Sequence, residues 1–321
     1  MSIFDRDYMR RRSDSPARSQ PHLHRPCSNR KLPVFFYRLW PLRFALLGLP
    51  LLPMFIFGVF PGDAPHVAPG SEVQQTYAMM SVIGFLLLIF VAIGRTDDGI
   101  AGLGVQLIWI VLVGTGGMAL LFAMQKASMN ATGLTHGGAS PAFLWPIQFV
   151  GQAYNVVYAG ARTAGESVLA YTAGVGFAEE SVKALPLFFL LFNERTVPQW
   201  KSMCIMGLTC GVGFGVSEAV HYAIGYHGVL GPEIYLIRFS SLVALHAIWT
   251  ATVALLICRT TVRSGLYGVV GALLPSVILH ALYDILATPQ TEHWRDATAG
   301  ASFVVLWTLM VVAERRDRRF C

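Results

Sequence analysis

Beyond residue 40 the chain is a succession of apolar runs broken by short polar connections. Runs of about 20 residues cross a hydrocarbon layer of ~30 Å as helices. The pattern places spans near 40–60, 76–94, 100–124, 166–193, 202–225, 238–258, 264–288 and 299–314. It therefore predicts an all-α, polytopic membrane helix bundle of about eight transmembrane helices. The stretch "PAFLWPIQFVGQAYNVVYAG" at 141–160 is apolar enough to be a ninth. Counting it would move the later basic connections to the opposite face, so it is read as an interfacial or re-entrant helix on the outer side.

Charge fixes the orientation. Arg and Lys fall in the N-terminal arm, at Arg95, at Arg195 and Lys201, at Arg259 and Arg263, and at Arg315, Arg316, Arg318 and Arg319. These are alternate connections, whereas 61–75, 125–165, 226–237 and 289–298 hold only Lys126, Arg162 and Arg295. By the positive-inside rule both termini are cytoplasmic. Composition agrees with a membrane class: 54% of residues are hydrophobic and 13% charged, with a mean hydropathy of +0.54. A pI near 9.2 would suit a nucleic-acid partner, but topology already accounts for the basic residues, so the expected partner is the lipid bilayer and no nucleic acid. The five cysteines are odd in number and dispersed, without a CxxC pair, which excludes a disulfide framework and a zinc-ribbon or iron-sulfur site. The division expected is a disordered basic cytoplasmic arm (1–35), N-terminal membrane helices with an outer interfacial segment (36–165), a four-helix core (166–288), and a last helix with a basic tail (289–321).

The spans are not uniformly apolar. "GVGFAEESVKALPLFFLLF" at 174–192 carries Glu179, Glu180 and Lys183; Glu218 and His221 lie in the next span, His246 in the sixth, His280 and Asp284 in the seventh. Each charge at mid-helix costs roughly 2.5–3.5 kcal/mol on insertion scales, so four lone carboxylates and a lysine would together cost on the order of 12–17 kcal/mol. That rivals the stability of a whole domain, roughly 5–15 kcal/mol, so these groups must meet partners, water or a metal. Spacing supports one shared site. Glu179 and Glu180 precede Lys183 by four and three residues, and His280 precedes Asp284 by four, so each set shares a helix face. Gly207, Gly211 and Gly215 form a small-xxx-small stripe that lets backbones approach in lipid. Gly268, Gly271, Pro275 and Pro186 also suggest close packing and kinks.

The segments "EESVK" at 179–183, "FGVSE" at 214–218, the lone His246 and "HALYD" at 280–284 resemble the PrsW family of intramembrane proteases, whose members show EExxK, FxxxE, a histidine and HxxxD in that order. The resemblance covers roughly residues 165–288. The chain is also similar to the wider superfamily of CAAX-type prenyl endopeptidases and bacteriocin-processing proteases, with EExxxR, FxxxH and HxxxN; Lys183, Glu218 and Asp284 favour the PrsW branch. The resemblance implies peptide-bond hydrolysis near the outer face of a cell membrane of the bacterial inner-membrane type. It implies a membrane-anchored protein substrate, with anti-sigma factors the best-known kind.

The residues expected to act are Glu179, Glu180, Lys183, Glu218, His246, His280 and Asp284. Glu179 or Glu180, with Glu180 preferred, activates water, and Lys183 holds the other carboxylate. His246 and His280 bind the water or oxyanion, or ligate a metal, and Asp284 orients His280. Glu218, His246 and His280 make a credible set of ligands for zinc or another divalent metal, while a metal-free glutamate mechanism fits the same residues. No HExxH, GxSG or GxGD motif occurs. The bland readings are a structural ion cluster for Glu179, Glu180 and Lys183, a satisfied core histidine for His246, a helix-helix contact for Glu218, and packing for Phe214. His221 is structural or accessory, and His66, His136, His227 and His293 are solvated. The competing functions are a proton-coupled transporter and a catalytically silent membrane scaffold.

Overall fold

The computed structural model describes residues 40–57, 72–94, 96, 102–134, 145–159, 163–193, 199–225, 232–259, 265–287 and 291–319. The N-terminal arm, Arg95, Arg162, Arg195, Arg263, His66, His136 and His227 lie outside the described residues. Among those described, every element is helical and none is a strand. Among the described residues nine rods follow in chain order. α1 runs Trp40–Phe57, with a 3-10 stretch at Leu46–Leu51; α2 is Glu72–Ile93; α3 is Leu103–Leu134, with a π-helical stretch at Leu112–Gly117. α4 is Trp145–Ala159, and α5 is Ala164–Asn193, with a π-helical stretch at Ala170–Phe177. α6 is Trp200–Gly225, α7 is Pro232–Arg259 with a π-helical stretch at Ile237–Leu242, α8 is Gly265–Ile285, and α9 is Glu292–Arg319.

Six of these rods, within α2, α3, α6, α7, α8 and α9, are long and apolar enough to cross a membrane. The protein is thus a multi-pass helical membrane protein. α4 is a separate helix of 15 residues, about 22 Å at 1.5 Å per residue and so short of a crossing. It packs its Ala153–Tyr154 backbone onto α5, where a Cβ on Gly174 would stand 2.7 Å from the Tyr154 nitrogen.

The centre of the bundle is the α6–α7 pair, and small residues bring it together. A Cβ at Gly207 would stand 2.6 Å from the Ala251 Cα, one at Gly215 would stand 3.0 Å from the Val243 Cα, and one at Gly211 would overlap the His246 carbonyl. The glycine stripe of α6 therefore faces α7 as its spacing predicts. Gly271 in α8 does not share this role, because open space surrounds it. The close approach of α8 is made instead by Gly176 of α5, whose Cβ would lie 2.9 Å from the Val277 carbonyl oxygen. Pro186 and Pro275 both lie inside their helices.

α1, α2 and α9 close one side of the pair. The Trp249 indole nitrogen donates to Ser302 Oγ at 3.0 Å, and the Ser241 hydroxyl of α7 donates to the Pro50 carbonyl at 2.9 Å. One end of the bundle joins the start of α6 to the end of α9 through Lys201 and Glu314 at 3.4 Å and through Trp200 and Asp317 at 2.9 Å. Arg295, expected in a connection between spans, lies instead within α9 and is fully buried. The Asp296 carboxylate, 2.8 Å away, compensates its charge and lets the helix begin earlier than hydropathy suggests.

Candidate active site

The residue before α5 starts the site. Thr163 Oγ1 accepts from the Glu166 amide at 3.2 Å and caps the helix. The π-helical turn from Ala170 then delivers Glu179 and Glu180 to the bundle centre. Such turns shift the side-chain phase by about one residue and recur at functional sites.

The seven residues expected from the sequence converge, and they come from four helices. Lys183 is fully buried. Its Nζ donates to Glu180 Oε1 at 2.8 Å and to Glu179 Oε2 at 3.2 Å, and lies 2.7 Å from His246 Nδ1 on α7. An ammonium has three hydrogens, and two carboxylate oxygens and an imidazole nitrogen surround this one. The Phe214 ring of α6 covers the same ammonium, 4.3 Å from centroid to nitrogen. Phe214 is thus more than packing. From α8, His280 Nδ1 lies 3.0 Å from Glu180 Oε1, while its Nε2 lies 3.7 Å from Glu179 Oε2 and 3.5 Å from Asp284 Oδ2. On α6, Glu218 Oε2 lies 2.8 Å from His246 Nε2, close but out of line for a hydrogen bond.

The two adjacent glutamates have different surroundings. Glu180 has no exposed side-chain surface and stands between Lys183 and His280. Glu179 reaches a cavity of about 500 Å³, whose walls include Glu218, His246, His280 and Asp284. The lysine holds both carboxylates, where the sequence suggested it would hold one.

The ligand set expected for a metal also changes by one member. Glu179, His246 and His280 are the residues whose ligand atoms all lie within 4.8 Å of one another. Glu218 reaches His246 from the α6 side and falls outside that group. Spacing within one helix cannot show this, because it depends on which face of α5 meets α8. Two imidazole nitrogens and a carboxylate are the donor set of many catalytic zinc sites. The surrounding carboxylates of Glu179, Glu180, Glu218 and Asp284 outnumber the one buried ammonium. Such a charge excess suits a cation, so the residues present fit a divalent metal.

Two other residues shape the site without belonging to any motif. Trp249, fully enclosed on α7, stacks its ring on His280 at 4.2 Å between centroids and 18° between planes, and meets His246 edge-on at 5.6 Å. It fixes both imidazoles. Arg238, in the π-helical turn of α7, lies on the cavity wall with its guanidinium 4.6 Å from the Tyr222 ring centroid. It falls at the boundary between a connection and a span, where an arginine reads as a flank; an Arg within reach of a predicted polar cluster was the available signal. His221 stands outside the cluster, beside the Phe122 ring at 4.8 Å, and His293 is solvent-exposed.

A multi-pass helix bundle with acids, imidazoles and an ammonium gathered around a cavity has the groups that an intramembrane hydrolase needs. The model of the PrsW family, described as intramembrane metalloproteases, matches residues 106–313, more than half of the chain. The chain belongs to this family and is an intramembrane protease. No curated protein and no solved structure matches it.

Proposed function

We propose that the protein is an endopeptidase of membrane-anchored proteins that cuts near the outer membrane face, with anti-sigma-factor-like proteins as the substrate type. The observation that carries this reading is the 500 Å³ cavity, whose walls bring together Glu179, Glu218, His246, His280 and Asp284 from α5, α6, α7 and α8. In this reading α1 and α5 add two crossings to the six, giving eight, and both termini are cytoplasmic. Lys201, Arg315 and Arg316 support that orientation, because they sit together at the end of the bundle opposite the cavity mouth. In this reading residues 166–288 are the catalytic core, against which the described helices α1 to α4 and α9 pack, and the arm at 1–35 belongs to the cytoplasmic side.

Amide hydrolysis needs an activated water, a stabilised oxyanion and a proton for the leaving amine. Glu179 is the proton acceptor, because it is the member of the glutamate pair that reaches the cavity. Lys183 holds its Oε2, which leaves the second oxygen to take the proton from water and return it to the amine. Glu180 keeps His280 in one orientation through Nδ1, and Asp284 flanks the Nε2 side, so that His280 faces the cavity and supports the oxyanion. Glu218 flanks His246 Nε2 from α6 at 2.8 Å. With a divalent metal bound, Glu179 would serve with His246 and His280 as a ligand instead of as the base, and the metal would supply Lewis acidity to the water and the scissile carbonyl.

The test uses full-length protein in proteoliposomes with a single-span reporter. Wild type cleaves it, and Glu179→Gln lowers turnover by about 10²–10⁴-fold, the usual worth of a general base, with unchanged thermal unfolding. Equal cleavage by the variant rejects the role of Glu179, and ion flux without proteolysis rejects the protease reading.

A further inference from the structure

The ionisable groups of the cluster come from α5, α6, α7 and α8, and α9 supplies none of them. It reaches them nonetheless, through one buried hydrogen bond. The Trp249 indole nitrogen donates to Ser302 Oγ at 3.0 Å, and both side chains are buried. Ser302 in turn donates its own proton to the Thr298 carbonyl at 2.8 Å. A hydroxyl has one hydrogen and two lone pairs, so the bond inside α9 leaves the acceptor side of Ser302 for the indole.

His280 is restrained along its edge by carboxylates, with Nδ1 3.0 Å from Glu180 Oε1 and Nε2 3.5 Å from Asp284 Oδ2. Edge contacts limit rotation within the ring plane but tolerate tilt, because a hydrogen bond weakens only gradually with angle until it is strongly bent. Tilt is limited at the face. Trp249 covers that face, 4.2 Å away between centroids and 18° between planes. The tryptophan is itself held at two points. Its backbone carbonyl accepts from Ser276 Oγ of α8 at 2.8 Å, and Ser276 precedes His280 by four residues and so shares its face of the helix. Its ring is held by Ser302. Without that hydroxyl the backbone keeps its anchor, while the ring regains its torsions and its buried N–H favours whichever one offers another acceptor.

We propose that Ser302 is a positioning residue for the proteolytic reaction, acting on His280 through the Trp249 indole. This rests on the proteolytic reading given above and extends its machinery to a helix that carries no reacting group. The hydroxyl sets the plane of the indole, the indole sets the tilt of His280, and the tilt decides where the imidazole stands at the cavity wall. Ser302 is not itself part of that wall. Its loss therefore acts on the orientation of the catalytic groups more than on substrate binding, and so on kcat more than on KM.

The experiment uses full-length protein in proteoliposomes with the single-span reporter. It reads kcat, KM and thermal unfolding for wild type, Ser302→Ala, Ser302→Cys, Trp249→Phe, Trp249→Phe combined with Ser302→Ala, and the inactive control Glu179→Gln. Gly300→Ala serves as a control on the same helix, where an added Cβ meets nothing within 4 Å. Ser302→Ala should lower kcat by about tenfold, inside the ~10²-fold that a 1 Å misplacement costs, with KM within about twofold of wild type. Ser302→Cys, of similar shape but a weaker acceptor, should lose kcat in the same direction, and it carries the test if the alanine variant does not fold. Gly300→Ala should match wild type. Phenylalanine keeps an aromatic face and has no N–H, so Ser302→Ala should cost no further kcat in the Trp249→Phe background. Overturning results are wild-type kcat in the folded Ser302 variants, a loss confined to KM, or an equal loss of kcat with and without Trp249, which would mean that Ser302 acts by packing alone. Wild-type cleavage no greater than that of Glu179→Gln would reject the proteolytic reading itself, and the positioning role with it.

Discussion

α2 and α3 differ from α6 and α7 in what surrounds them, although all four are apolar enough to cross a membrane. Within their apolar windows, 28% and 22% of α2 and α3 is buried, against 78% and 83% of α6 and α7. The outer pair spends its apolar side chains on lipid, as Met80, Leu87 and Phe90 show by their exposure. The inner pair spends its positions on close backbone contact and on ionisable groups. Hydropathy therefore reports that a helix is compatible with lipid, while small residues and charges report that it is sheltered from it.

The comparison can be broken at one atom. Gly211→Leu places a side chain against the His246 carbonyl, where no space exists, so it should separate α6 from α7. The expected loss exceeds about 4 kcal/mol, in the diagnostic range for overpacking, read as failure to recover monodisperse protein in detergent. Lys183→Met is the next largest. It leaves Glu179 and Glu180 without their shared ammonium, and breaking a buried ion pair costs about 3–5 kcal/mol, read as a fall in the thermal unfolding midpoint. The smallest effect is the counterpart in the outer pair. Gly84 on α2 has nothing within 4 Å of an added Cβ. Gly84→Ala should thus leave the stability unchanged or raise it, by at most about 1 kcal/mol.

The same contrast explains what was legible in the sequence. The intramembrane charges stood out against apolar neighbours, and their i, i+3 and i, i+4 spacings identified which could meet within a helix, so the convergence of Glu179, Lys183, His246 and His280 was accessible. The division of labour between Glu179 and Glu180 was not. Adjacent residues point about 100° apart, and only the tertiary neighbours, delivered by a π-helical turn that breaks the regular period, decide which one reaches the cavity. The exchange of Glu218 for Glu179 in the metal-compatible group has the same origin. Trp249 was silent because a tryptophan in an apolar run carries no sign of the imidazole it stacks on. Gly176 was missed for a related reason: single glycines acquire meaning only from the helix opposite.

The central claim is that Glu180 on α5 and His280 on α8 belong to one buried cluster. A double-mutant cycle on thermodynamic stability, with Glu180→Gln, His280→Phe and the double variant in detergent, tests it most directly. Groups in contact should show an interaction energy of about 0.5–3 kcal/mol. Losses that add to within about 0.3 kcal/mol would mean that the two side chains do not meet, and would contradict the account.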